Sequence, residues 1–169
     1  MIKLMKIELS RIDKTKEADS NFIEATIDFL RTYADRCHHG KEVVILFRDL
    51  GKKKLSDEHS KIMHELMEEH AYARRTVGKL ETAKESYIKG KVESLKDILM
   101  LLNELVEFYP MHIKKEDTQF FIPCMEYFTK QEQEHMIQEF WEFDRQIIHE
   151  KYQKIVDKIE QSLSKDFTK

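Results

Sequence analysis

The sequence contains little that would interrupt a helix. Its 169 residues include only 4 glycines and 2 prolines, the residues that most often end helices and form turns. No stretch shows the alternation of apolar and polar residues, bounded by turn residues, that is typical of a β-strand. The length allows one domain with a core of useful size. The composition therefore predicts an all-α protein made of a few long helices.

Cysteine, long apolar runs and a strong charge bias are also missing. The 2 cysteines, Cys37 and Cys124, are too few for a disulfide framework and lack the spacing of a metal motif. No apolar run approaches the roughly 18 residues that a membrane span needs, and the N-terminal residues lack the apolar segment of a secretion signal. The net charge is −3, and the sequence has no block of basic residues of the kind that binds nucleic acid. We therefore expect a soluble, cytoplasmic protein that binds neither nucleic acid nor membranes.

The few breaks in the chain predict four long helices. Gly51 is a suitable terminator for the first helix, Ser56 is a good N-cap for the second, and Thr129 with Glu132 forms a capping box at the start of the fourth. Short connections between long helices predict an up-down-up-down four-helix bundle. We assign residues 20–169 to this bundle and residues 1–19 to an amphipathic lead-in whose packing stays open. The predicted helices cover about residues 20–50, 56–85, 91–121 and 129–163.

Two histidine–glutamate pairs are the strongest functional feature. His38 precedes Glu42, and His112 precedes Glu116, by four residues. Residues four apart share one face of a helix, so each pair offers an imidazole nitrogen and a carboxylate to one point. Helical periodicity places both pairs on apolar rows that face the core, where a carboxylate is costly unless a charge or a metal neutralises it. One such pair is more often a surface contact or a core hydrogen bond, but two together favour a metal site.

A third helix adds His70 on its apolar row. His38 lies 12 residues before Leu50, and His70 lies 14 residues after Ser56. At about 1.5 Å of rise per residue, the two histidines reach similar heights on antiparallel helices. His39 falls on a polar row, which predicts that it faces solvent or the groups around the ligands.

Pro110 lies two residues before His112. It removes one helical hydrogen bond and should bend the helix or force a local irregularity. The sequence leaves open whether this is a tolerated kink or a turn that re-aims His112.

In these residues the sequence resembles the hemerythrin family, in particular its HHE-type branch. The similarity extends over about residues 22–125 and implies a four-helix bundle that holds two non-haem irons. Three segments carry it in the family's order: Cys37-His38-His39-Gly40-Lys41-Glu42 followed by Leu46-Phe47, Glu69-His70 followed by Arg74, and His112-Ile113-Lys114-Lys115-Glu116-Asp117 leading to Phe121-Ile122-Pro123.

The resemblance implies a ligand set for two iron ions, with Mn or Zn as competitors. His38, His70 and His112 would be terminal ligands, and Glu42 and Glu116 would bridge the ions. Oxygen-carrying members have a further histidine one turn after the position of His70, and this chain has Arg74 there. The groups expected beside the ligands are His39, Glu69, Tyr109 and Asp117.

The family's first helix has its own histidine, but residues 1–36 contain none. A four-helix bundle is cyclic, so the C-terminal helix could replace the family's first helix. We therefore hypothesise a circularly permuted bundle with His149 as the fourth histidine. His149 lies at the edge of its apolar row, so a histidine that merely caps the core is a competing interpretation. A carboxylate of the lead-in, such as Glu8 or Glu17, or a partner chain could complete the site instead.

We expect the protein to bind or sense O2, NO or redox state without turnover, because no general acid, general base or substrate cleft can be read beside the ligands. The alternatives are a di-iron oxidoreductase or iron-handling protein, acting on peroxide, NO or damaged clusters, and a bundle that has lost its metal. Three intact ligand sets on core rows argue against a lost metal. Phe140, Trp141 and Phe143 could form a homodimer surface if Trp141 faces outward, although packing between helices is the commoner cause of such runs.

Overall fold

The computed structural model describes the backbone of residues 1–166 and the side chains of residues 1–157. Helices make up 90% of it, and the described part contains no strand, which confirms the all-α prediction. No helix in this part combines the length and the apolar character that a bilayer span requires. We name the five helices α1 (Ile2–Thr15), α2 (residues 20–50), α3 (Asp57–Ile88), α4 (residues 95–124) and α5 (Lys130–Asp166).

Side chains at the helix starts define where α2, α3 and α5 begin. The Asp19 side chain accepts hydrogen bonds from the next backbone N–H groups, and Ser56 accepts one from the N–H of His59. The Thr129 N–H donates to Glu132, whose own N–H donates back to the Thr129 hydroxyl. This reciprocal pattern is the capping box that the sequence predicts. The starts of these helices are therefore local properties of the sequence.

Two of the helices are not α-helical throughout. In α2, π-helical segments Leu30–His39 and Glu42–Phe47 lie between an α-helical start and a short α-helical end. In α4, a π-helical segment follows Leu95–Lys115 at Glu116–Phe120. The chain stays α-helical through Pro110, so the irregular turn comes after the proline and begins at Glu116. Such π turns are rare and often lie at functional sites.

Three helices, α2, α3 and α4, run the full length of the bundle, and two helices share its fourth side. The apolar core has two clusters. In the first, Met5 and Ile12 of α1 pack against α2, α3 and α4, and in the second, Met136 of α5 packs against the other ends of the same three helices. A layer of histidines and glutamates, here called the polar layer, lies between the clusters. It consists of His38, His39, Glu42, His70, His112 and Glu116.

The lead-in is therefore part of the bundle, with α1 in one half of the fourth position. The remainder of α5 runs along the outside of α2, held by ion pairs that join Lys41 to Asp144 and Arg36 to Glu150. Trp141 lies on this part of α5 and is 63% exposed, so it faces outward.

The packing of α1 predicts a measurable contribution to stability. Ile12 is fully buried in the first cluster, so Ile12→Ala should lower the free energy of unfolding by about 2–5 kcal/mol. Leu4→Ala, at a position on the same helix that is 49% exposed, should change it by no more than about 0.5 kcal/mol. Denaturant unfolding followed by circular dichroism measures both. Equal, small effects would show that α1 does not pack on the bundle.

Candidate metal centre

The side chains of the polar layer form two overlapping groups. Within each group, the histidine nitrogens and carboxylate oxygens lie within 4.8 Å of one another. Glu116 belongs to both groups, so its carboxylate lies between two positions that a cation could occupy. The structure brings five of the six predicted ligands together and adds His39. The first group is His39, His70, His112 and Glu116, and the second is His38, Glu42 and Glu116.

Distances between atoms of the polar layer show that both carboxylates bridge the groups. Glu42 Oε1 lies 2.9 Å from His38 Nε2, and Glu42 Oε2 lies 3.2 Å from His70 Nε2. Glu116 Oε1 lies 2.9 Å from His112 Nε2 and 3.7 Å from His70 Nε2, while its other oxygen lies 3.7 Å from His38 Nε2. Glu42 therefore reaches histidines of two helices, and Glu116 reaches histidines of three.

The buried polar atoms fit a cation better than they fit one another. Among the described side chains, every buried nitrogen or oxygen atom without a hydrogen-bond partner belongs to the polar layer. Several of these atoms lie about 3 Å apart without the angles of a hydrogen bond. Two ligands about 2.1 Å from one cation and at right angles to each other are also about 3 Å apart. The atoms concerned are His39 Nδ1, Glu42 Oε1 and Oε2, His70 Nδ1 and Nε2, His112 Nε2 and Glu116 Oε1.

Without a cation, protons on the histidines neutralise the carboxylates. Contacts with Glu116 and Glu42 raise the pKa of His38 to about 10. Burial raises the pKa of Glu42, but its contacts with His38 and His70 outweigh burial and hold the pKa below its usual range. His39 differs from the others, because burial lowers its pKa and keeps the ring neutral. A divalent cation would take over the neutralising role of these protons.

Glu69, predicted to lie beside the ligands, orients one of them. Its Oε2 lies 2.7 Å from His112 Nδ1, and its Oε1 accepts a hydrogen bond from Lys115 at 2.5 Å. A carboxylate at Nδ1 fixes the proton there and leaves Nε2 free to ligate. Of the other residues predicted here, Tyr109 is buried next to the polar layer, and Asp117 is exposed at the rim of a cleft.

His39 lies in a different place from the one its helical row predicts. It is 2% exposed, and its ring stacks on His70 with ring centroids 3.8 Å apart. The row argument assumes 3.6 residues per turn, whereas residues 30–39 form a π-helix, which turns through a smaller angle per residue. Two adjacent histidines can then both reach the interior. The only sequence signal for this was the adjacency of His38 and His39.

The structure also differs from the predicted position of His149. This side chain is exposed on α5 and belongs to neither group, because α5 runs outside α2 at this height. The two carboxylates considered as alternatives are also elsewhere. Glu8 pairs with Arg11 and with the backbone N–H of Asp19, and Glu17 is exposed.

Two clefts reach the polar layer at the place where α1 begins and α5 moves outward, and another, of about 350 Å³, reaches His39 between α2 and α3. The first, of about 440 Å³, lies between the start of α1 and the residues His38, His112 and Glu116. The second, of about 410 Å³, reaches His38 and Glu42 from the side of α5. The His38 side chain is 44% exposed, whereas those of His70 and His112 are 1% exposed. The two groups are thus unequal: each residue of the first group is at most 2% exposed, whereas the second group contains the exposed His38, so we call the first group enclosed and the second accessible.

A helical bundle with a buried, carboxylate-bridged histidine layer defines a class of cation-binding bundle proteins. The chain matches the family model of the hemerythrin HHE cation binding domain over residues 61–167. It therefore belongs to the hemerythrin HHE family. No curated protein and no solved structure matched the chain. The matched residues begin in α3, later than the similarity noted at residues 22–125, and leave out α2 with His38, His39 and Glu42.

The contact between Glu69 and His112 predicts a weaker metal site when it is removed. Glu69→Gln should lower the affinity for Fe²⁺ by about 10–100-fold, because His112 loses the carboxylate that orients it. Glu65→Gln is the matched control, since Glu65 pairs with the same Lys115 at 2.9 Å and lies one turn away on α3. Anaerobic Fe²⁺ titration measures both variants. Equal losses would show that only the pairing with Lys115 matters.

The raised pKa of His38 predicts that metal binding releases protons. With a pKa of about 10, His38 is protonated at pH 7.5 in the metal-free protein, and it must lose that proton to ligate. The apparent affinity should therefore rise as the pH rises toward 10. Calorimetric titration in two buffers with different ionisation enthalpies counts the released protons. His38→Ala should release at least one fewer proton, while variant His64→Ala, changed at an exposed position, should match the unmodified protein. Identical heats in both buffers would contradict this prediction.

Proposed function

We propose that this protein binds two iron ions in the polar layer and uses them to bind or sense O2 or a related small molecule such as NO. The supporting observation is that the buried polar atoms without partners in the described side chains all belong to this layer. Leaving buried polar atoms unpaired is costly. A set of imidazoles and carboxylates suits iron, with manganese or zinc as competitors. Membership of the HHE cation-binding family agrees with this choice.

The two groups support two bridged ion positions. His70 and His112 would hold one ion, His38 would hold the other, and Glu42 and Glu116 would link them. When bound, reduced iron supplies electrons that O2 or NO can accept reversibly. The protein's own residues hold the ligands at fixed separations, balance the charge of the ions with two carboxylates, and keep water from the enclosed side.

The greater exposure of the second group supports access of a small molecule to the ion that His38 would hold. That group has one histidine and two carboxylates, which leaves coordination positions free for an external ligand. The first cleft leads to His38 between α1 and α4 and has mostly apolar residues such as Phe29, Tyr33 and Ile113 in its walls. A small apolar gas would partition into such a cleft.

The same clefts support a second candidate, a di-iron oxidoreductase that consumes peroxide or NO. A His38 side chain that is 44% exposed allows water and products to exchange. Water access shortens the lifetime of a reversibly bound gas but does not impede turnover. The sequence favours a protein without turnover because it shows no general acid, general base or substrate cleft beside the ligands, and the structure adds the clefts.

One anaerobic experiment tests the proposal. The protein is reconstituted with Fe²⁺, its metal content is measured, and its absorption spectrum is recorded before and after air is admitted. We expect two irons per chain and a new near-ultraviolet or visible band in air. A protein that stays colourless and metal-free after reconstitution would overturn the proposal. Multiple turnovers with peroxide or NO would favour the oxidoreductase, while one equivalent taken up and released on removal of the gas would favour binding or sensing.

A further inference from the structure

Besides His38, His70 and His112, the polar layer contains a fourth histidine, His39. The first group contains three imidazoles, those of His39, His70 and His112. His39 directly follows His38, which belongs to the second group, in the sequence. In the first group His39 stacks on His70 and meets His112 edge to face, with centroids 5.4 Å apart. Three rings from α2, α3 and α4 therefore converge on one point beside Glu116.

A chain of contacts orients the ring of His39. The Nδ1 atom of His39 lies 3.4 Å from Asp35 Oδ1, one turn earlier on α2. The same oxygen accepts a hydrogen bond of 2.7 Å from Arg74 Nε on α3. Arg74 thus holds the Asp35 carboxylate in place beside His39. The contact between Asp35 and His39 lacks the angles of a hydrogen bond, but it places a carboxylate on the Nδ1 side of the ring, which favours Nε2 as the ligating nitrogen.

The position of Arg74 on α3 indicates which side of the first group His39 occupies. Residues 70 and 74 are one turn apart on the same face of α3, and His39 lines the same cleft as Ala73, Arg74 and Val77. A ligand side chain at position 74 would reach the same group as His70. With arginine there, the position is covered from α2 instead.

We propose that His39 is a metal ligand that takes the coordination position next to His70, and that Asp35, held by Arg74, is its positioning residue. Neighbouring residues of one π-helical turn then ligate different ions, with His39 on the enclosed ion and His38 on the accessible one. This assignment rests on the proposed cation site.

The test is a set of histidine variants titrated with Co²⁺, whose visible spectrum reports the number and type of its ligands, with metal content measured in parallel. His39→Ala should lower the affinity of one of two Co²⁺ ions at least tenfold and alter the spectrum. His149→Ala should match the unmodified protein in both readouts. The double variant His39→Ala with Arg74→His should recover most of the lost affinity, because an imidazole then reaches the same position from α3.

Asp35 is tested by a change that keeps its shape. Asp35→Asn should retain two ions but weaken one by about 10–100-fold and shift the Co²⁺ spectrum. Asp28→Asn is the matched control, since Asp28 lies on the same helix, and its described contacts, an ion pair with Lys151 and a hydrogen bond from Thr32, lie outside the polar layer. A purely structural role for Asp35 would change thermal stability but not the spectrum of the loaded protein.

The outcomes separate this inference from the function on which it rests. If the unmodified protein binds no Co²⁺ or Fe²⁺, both fail. If the unmodified protein binds two ions, two results would overturn only the assignment of His39. One is that His39→Ala also binds two ions with an unchanged spectrum, and the other is that His149→Ala loses an ion. Failure of Arg74→His to restore affinity overturns the assigned position. Circular dichroism verifies folding, and His39→Gln, which keeps a buried polar side chain, replaces any His39→Ala protein that does not fold.

Discussion

The structure depends on two carboxylates that are buried between two apolar clusters. Glu42 is 4% exposed and Glu116 is 1% exposed, and an unpaired charge at such a place costs several kcal/mol. The helices meet this cost by directing imidazoles from α2, α3 and α4 at the same carboxylate oxygens. His38, His70 and His112 carry protons when no cation is present and can exchange them for cations. The polar layer is therefore stable as a cluster of charges and suited to binding metal for the same reason.

The division of the bundle's fourth side between two helices determines how accessible this layer is. A single long helix would cover the layer over its whole height. Here α1 covers one apolar cluster and the start of α5 covers the other, and the clefts lie between them. The side chains of the first group are thereby buried, whereas the His38 side chain of the second group is exposed. How exposed His38 is therefore bears on whether the site would bind a small molecule reversibly or turn it over.

Much of the fold could be predicted because it depends on local chemistry. The caps at Ser56 and Thr129 are contacts between residues three positions apart, and the apolar rows that form the core repeat with the helical period. The positions of His38, Glu42, His70, His112 and Glu116 in one layer followed from the same periodicity. The positions of His39 and His149 could not be predicted in this way, because the first depends on π-helical turns and the second on the path of a whole helix.

By itself, the sequence determined that the chain is helical, where its long helices begin, and that two histidine–glutamate pairs face a common interior, because these properties arise within a few turns of one helix. Only the tertiary structure decided which residues complete the layer. The π-helical turns of α2 and α4 depart from regular α-helical geometry. The packing of α1 into half of the bundle's fourth side and the pairing of Arg74 with Asp35 join parts of the chain that are distant in sequence. The burial of charge by several helices at once selects among such arrangements, and no single segment contains that information.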